Sequence, residues 1–592
     1  MSDWLIPEGS KQITFKGLKG ATSRYPPGET PPGYLYVLEN AMPFMGAIHC
    51  RPVLSLAGQP SAGGTFISGL YPPFRNAEVF WSSSGLERLM LIDRILYLKS
   101  TSGLVYSKLW AYSTGTVTKG ATKSIVLGTS TQWTAGAWLA SGDFIVIGSR
   151  TFSIAIVNNA TTLRVYGSLS AFSGSAYHIK RTFGSSSRFV PDMTTYQNKL
   201  VMADGKRPLY AWNGTSLSLL NSTHTWKAKG VVHFRDRLWA FNTTESGVRL
   251  PKRLRWSQAT DKTNFLDTYG SDTQWVDVPY SAGEILRAVP LRDSLMIYMS
   301  DAVWIGIPTN MPNLPLSFQK LPLPAGAGLV GARAVASSEE GHIAVLSSGV
   351  YWITPDGVKQ LETPWKDTDF ATSTNTAARM GSYVAGIDAS ERIAYIFASS
   401  LPPAGETVAF GWGYSFSSEG WFLISFHRTA AMTLAKWLTV ASTSKFYLSG
   451  DSNYAGRLCV WSRAAYQDGW KSLTPDQPIV IKAGFPLLRD EEQERMLEVT
   501  QAIVRCESSP PGVSLFTLVG KIDRHTIRVL GNIRYRDFPG QAFGQADFRI
   551  TGNSLYFYIE TSNPSPPSSY SLIFESVSFR VHRRGARRII KA

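Results

Sequence analysis

Cysteine is scarce: Cys50, Cys459 and Cys506 are the three in 592 residues. They are too few and too far apart for a disulfide framework, so folding in a reducing cytosol is expected. Charge is also thin, at 17% of residues, and no apolar run approaches the length of a membrane span. Heptads are absent, which excludes a coiled coil. The amino end, Met1-Ser2-Asp3-Trp4-Leu5-Ile6-Pro7-Glu8, has no signal-peptide architecture. Asn-x-Thr triplets such as Asn213-Gly214-Thr215 and Asn242-Thr243-Thr244 read as turns rather than as glycan acceptors.

Signatures of chemistry are missing too. There is no Gly-x-Ser-x-Gly elbow, no Walker loop, no His-x-x-x-His pair and no Cys-x-x-Cys among the eight histidines and three cysteines. No metal, cofactor or catalytic residue is therefore assigned. His49, His178, His233 and His427 stand apart, and His342, inside a strand, reads as packed or solvent-facing rather than as a ligand. A glycosidase would need two carboxylates flanking a sugar bond. Asp204, Asp236, Asp293 and Asp388 all stand beside turns, where an acid ordinarily bonds the backbone. Ser271-Asp272-Thr273-Gln274-Trp275 is a partial echo of the sialidase Asp box.

What the chain does have is 51 Gly, 33 Pro and 44% hydrophobic residues, the profile of a turn-rich all-β protein. Its net charge of +16 suits attraction to a polyanion such as nucleic acid, or equally an acidic partner or simple solubility. The lysines and arginines are scattered, except at the carboxyl end. Arg583, Arg584, Arg587, Arg588 and Lys591 form a dense basic cluster there. It reads either as a site for DNA phosphates or a partner, or as a solvated tail.

One hairpin recurs. Tyr196-Gln197-Asn198-Lys199-Leu200-Val201-Met202-Ala203-Asp204-Gly205, answered by Pro208-Leu209-Tyr210-Ala211-Trp212, is a polar turn, an apolar strand, a second turn and a strand ending on an aromatic. The pattern returns at residues 92–106, 234–241, 291–305, 340–353, 391–397 and 445–461. Spacings of about 40 to 55 residues fit propeller blades, which bury sheets radially against their neighbours. A large β-sandwich is the alternative. Residues 115–182 interrupt the series with four or five short alternating strands, enough for a small barrel. Removing them brings the interval between Asp93 and Asn198 down to about 37 positions, close to one blade.

The expected division is an extended arm over 1–60, the start of a propeller over 61–114, and an inserted β-barrel module over 115–182. The rest of the propeller follows over 183–475, then a β-sandwich with a basic tail over 476–592. In the last part Met496–Arg505, Ser514–Val519, Asp547–Gly552 and Ser571–Phe579 read as strands. Proline density in the arm disfavours helix and central strands.

Several stretches carry a resemblance. The opening Gly17-Leu18-Lys19-Gly20, Pro26-Pro27-Gly28, Pro31-Pro32-Gly33, Glu39-Asn40 and Arg51-Pro52 resembles that of the tail nozzle (stabilisation) proteins of short-tailed bacteriophages, although Val53 stands where the family has Gly. Arg253-Leu254-Arg255-Trp256-Ser257 with Thr263-Asn264-Phe265 resembles a strand-and-loop signature of that family; its generic reading is an exposed, charged edge strand. The inserted module resembles a compact β module found in many phage tail proteins. Arg534-Tyr535-Arg536 and Pro539-Gly540-Gln541-Ala542-Phe543-Gly544 resemble the family's carboxyl-terminal domain in texture and position.

The resemblance implies a six-bladed propeller, which leaves one of the seven hairpins over. It also implies a homo-hexameric ring in the virion tail, assembled in the host cytoplasm. Its partners would be a tail adaptor or portal-side protein, tail fibres or spikes, and packaged double-stranded DNA retained and then passed through the channel. A receptor-binding or polysaccharide-degrading tail protein is the alternative, and a host-side propeller scaffold a third reading.

Overall fold

A computed structural model describes residues 10–586, apart from short stretches and the longer segments 61–75, 181–190, 266–274, 364–382, 401–406, 426–437, 450–457, 469–476 and 562–572. Every regular element among the described residues is a strand. The hairpins of the sequence become four-stranded antiparallel sheets because each apolar run is short and bounded by turns and, in blades two to six, buried on both faces. In blade two, Lys199–Ala203 pairs with Asp192–Tyr196 on one side and Tyr210–Trp212 on the other. Its turn, Gln197-Asn198, takes positive φ at both positions (41° and 57°), the two-residue geometry that matches strand twist.

Seven such sheets form a ring, the higher of the two blade numbers. Their first strands are Asn76–Trp81, Asp192–Tyr196, Lys227–Phe234, Ile285–Leu291, Val335–Ser337, Tyr383–Asp388 and Leu438–Ser442. Each touches the next in order, and the seventh touches the first, which closes the circle. Blade seven has three strands of its own; the fourth is Val53–Pro60, from the segment assigned to the arm. That strand also pairs in parallel with Val105–Lys108 of blade one, so it clasps the two ends of the ring.

Cores lie between the blades. Phe241, Trp256, Ile297 and Trp304 fill the junction of blades three and four, and Tyr298, Val345, Ile353 and Ile396 are among those between four, five and six. Full burial of such side chains contributes about 1.5–3 kcal/mol each, which is why radial packing outcompetes a lone sheet.

The inserted module is a six-stranded sheet running from Thr116–Lys119 to Tyr177–Lys180. A bridge between Val117 and Ser175 brings its ends together. Trp133 fills the core and donates its indole N–H to the Tyr177 hydroxyl at 3.0 Å; that hydroxyl donates to the Thr114 carbonyl at 2.6 Å.

The terminal domain is a β-sandwich built on long strands: Arg495–Glu507, Ser514–Ile522, Thr526–Phe538, Gln541–Gly552, Ser554–Thr561 and Ile573–Ala586. Thr526–Phe538 and Ser554–Thr561 were not singled out in the sequence. The amino-terminal arm does not simply lie over a surface but enters this domain as strands. Ser10–Lys16 pairs with Ile573–Ala586, and Val37–Glu39 joins Lys482–Gly484 on one side and blade six on the other. Ile393, Tyr395, Phe397, Phe422 and Ile424 of blade six share a core with Phe15, Phe485, Phe557 and Phe579.

Candidate functional site

Of the carboxyl-terminal cluster, Arg583 and Arg584 lie in the last strand, opposite Leu497 and Met496. They therefore belong to a sheet and not to a free tail. Arg587, Arg588 and Lys591 lie outside the described residues.

The four candidate carboxylates do not converge. Asp236, Asp293 and Asp388 stand at the turn between first and second strands, whereas Asp204 follows the second strand of its blade, at the opposite end. Asp388 accepts from the Glu391 amide at 3.2 Å, the backbone-bonding role expected at a turn. Asp293 is open to solvent and pairs with Arg235 of blade three at 3.7 Å. Asp236 borders a groove of about 250 Å³ over Phe234, Trp239 and Leu316, with no second carboxylate in its lining. In the sialidase echo, Trp275 packs under the Arg253 guanidinium at 3.4 Å, and residues 271–274 lie outside the described residues.

A second groove, about 290 Å³, was not foreseen because its walls come from distant segments. Tyr34 of the arm, Glu362 after blade five, and Tyr414, Glu419 and Trp421 of blade six line it. Glu419 is paired there with Lys359 at 2.9 Å.

His342 is packed. It is fully buried; its Nδ1 accepts from the Tyr298 hydroxyl at 2.8 Å and its Nε2–H donates to the Pro290 carbonyl at 2.9 Å. The carbonyl can only accept, which fixes the tautomer. Burial pushes the imidazole down to about 4, so it is neutral at pH 7 and ties blade five to blade four.

The stretch Arg253–Ser257 is not an edge strand, since Trp275–Asp277 lies outside it. Arg253 binds Asp277 and Glu245, and Arg255, only 1% exposed, lies 3.7 Å from Glu245. Burial lowers the Arg255 pKa from its ordinary value. Thr263-Asn264-Phe265 folds back on this strand. Gln258 donates to the Asn264 carbonyl, Phe265 donates its amide to His224 Nε2, and the Phe265 ring meets Trp226 edge-on. The signature is thus a buried brace between blades two and three.

Three charged joints were invisible in the sequence. Arg207 of blade two makes two bonds to Asp143 of the inserted module, and Asp204 lies 3.6 Å away. Desolvation works against the Arg207 cation, yet the neighbouring carboxylates hold its pKa above the ordinary value. On the inner strands, Arg287 of blade four reaches Asp192 of blade two. Burial raises the Asp192 pKa despite that cation and the amides of Val231 and Met193. Glu284 collects Lys229, Arg249 and the Asn242 amide; burial opposes its charge, but these donors hold it below the usual carboxylate range. All three join separate blades or modules. Among the described residues no group of three or more His, Cys, Asp or Glu is placed to hold a metal ion.

No protein-family model and no curated protein matches the chain. Among solved structures, BamB from Moraxella catarrhalis is similar over 66% of this chain and 94% of its own, at 9% identity and a TM-score of 0.32. Apo AztD from Citrobacter koseri covers 66% of this chain and 95% of its own, at 8% identity and a TM-score of 0.30. An exo-β-1,3-galactanase from Phanerochaete chrysosporium, solved with galactose, covers 67% and 96%, at 9% identity and a TM-score of 0.24. At such identities and scores none of them bears on what this chain does.

Proposed function

We propose that this chain is a structural subunit of the tail nozzle of a short-tailed bacteriophage. In this reading six copies form a ring in the virion tail, joined to an adaptor or portal-side protein and to fibres or spikes. The ring retains packaged double-stranded DNA and then conducts it. No bond is made or broken; the work is shape and electrostatics. The resemblance at 17–54, 253–265 and 534–544 supports this reading. The observation that carries it is the stitching of the chain's two ends. The arm enters the terminal sandwich, blade six and the clasp of the ring, while a buried ion pair joins the module to blade two. Such cross-tying suits a part that transmits load.

The test pairs native mass spectrometry of the purified chain, alone and with an adaptor, with incubation on bacterial surface polysaccharide. Six-fold assemblies and no released sugar are expected. Release of sugar that Glu362→Gln abolishes would favour the polysaccharide-degrading alternative and place its chemistry in the groove with Glu419.

A further inference from the structure

Three strands of the terminal domain lie side by side: Ser10–Lys16, Ile573–Ala586 and Arg495–Glu507. Side chains alternate across such a sheet, so Phe15, Val577 and Val504, which are paired in register and buried, face the core. The next row, Lys16, Ser576 and Arg505, faces away from it. Two rows further on, Arg580 stands between Gln12 and Gln501. The row between is uncharged, with Thr14 Oγ1 and Ser578 Oγ bonded at 2.8 Å.

Lys16, Arg505 and Arg580 are exposed, and none of them has an acidic partner among the described residues. The nearby acids whose side chains the structure describes, Glu498 and Asp547, have donors of their own. Glu498 is bound by Arg549, and Asp547 accepts from the amides of Gln501 and Gln545 at 2.6 and 2.9 Å. Strand spacing sets Lys16 and Arg505 about 10 Å apart, with Arg580 about 13 Å further along the strands. Three cations without a described acidic partner thus stand on one sheet around Gln12, Thr14 and Gln501, with Ile503 in the row between. Such a surface is matched by a regular array of phosphates, and duplex DNA presents one per about 1.7 Å of axis.

We propose that this face docks the phosphate backbone of double-stranded DNA, with Lys16, Arg505 and Arg580 each neutralising a phosphate. No donor is aimed to read a base edge, so the contact is independent of sequence. Only the choice of duplex over other polyanions rests on the nozzle reading.

The experiment is fluorescence anisotropy of the full chain with a labelled 30-base-pair duplex across a salt series. The triple variant Lys16→Gln, Arg505→Gln, Arg580→Gln is compared with a charge-matched control, Arg164→Gln, Arg292→Gln, Lys320→Gln, exposed elsewhere. Each lost phosphate contact lowers the salt slope by about 0.9, so the triple variant is expected to lose about 3 in slope and at least tenfold in affinity at low salt. The control should retain the parent's affinity. Arg580→Gln alone, with a slope lower by about 1, carries the result if the triple variant does not fold. Absence of duplex binding by the parent, or equal losses in both triple variants, would overturn the proposal. Duplex binding without rings would instead count against the nozzle reading and leave this face standing.

Discussion

Arg207 of blade two and Asp143 of the inserted module meet with side chains 3% and 0% exposed. Their blades explain the meeting. In an antiparallel meander the link from strand two to three and the link from strand four to the next blade emerge at the same end. Arg207 lies on the first kind of link and the module is inserted in the second. Removing one member of a buried pair leaves an uncompensated charge, which costs about 3–5 kcal/mol. Arg207→Ala should therefore destabilise the module–blade joint by that amount in urea unfolding. The triple variant Arg207→Met, Asp143→Leu, Asp204→Asn, which removes both carboxylates with the cation, should recover most of it. Equal stabilities for all three would contradict a structural joint.

His342 makes stability depend on acid. Its folded value of about 4 lies below the ordinary 6.5, so the unfolded chain binds the proton more tightly between the two. Its contribution is complete above about 6.5 and is lost as pH falls towards 4, on the order of 3 kcal/mol in all. Unfolding midpoints from pH 7.5 to 4 should show this decline, and His342→Gln should flatten it. An unchanged pH profile in the variant would show that other groups cause the decline.

The clasp should control ring opening. Leu56 pairs with Cys459 across blade seven, and proline there removes a backbone donor from the ladder. In Leu56→Pro, hydrogen exchange should accelerate in Asn76–Trp81 and Leu438–Ser442 while Ser294–Met299 of blade four stays protected. Uniform acceleration would mean that the ring does not open at this seam.

Gly420 of blade six is where the arm comes closest. A Cβ there would collide with the Lys19 carbonyl oxygen, a backbone atom that cannot swing aside. Gly420→Ala should cost about 1–3 kcal/mol and expose the arm to trypsin at Lys19. Unaltered cleavage would indicate that the arm can shift without undocking.

The propeller was legible because its hairpins carry their signal locally: a turn such as Gln197-Asn198, an apolar run, and an aromatic at the end of the next strand. The module was legible by subtraction of about 68 residues from one interval. Thr526–Phe538 escaped because Gly531 and the charges at Arg528, Arg534, Arg536 and Asp537 break its apolar alternation; pairing with Ser514–Ile522 supplies what local pattern lacks. The arm escaped for a related reason. Val37–Glu39, three residues long, is completed by Leu423 of blade six and by Lys482–Gly484, hundreds of positions away. Arg207 and Asp143 are 64 positions apart, and no periodicity links an arginine on one loop to an aspartate on another. Dispersed charge hid the basic face as well, since Lys16, Arg505 and Arg580 become neighbours only through sheet register.

The most direct test of the proposed nozzle role is an averaged electron-microscope image of the chain, alone and mixed with a tail adaptor protein. A closed six-fold ring is expected, with the propellers outside and the terminal sheets nearer the axis. Isolated propellers with no rotational order, or a ring with the terminal sheets turned outward, would contradict the account.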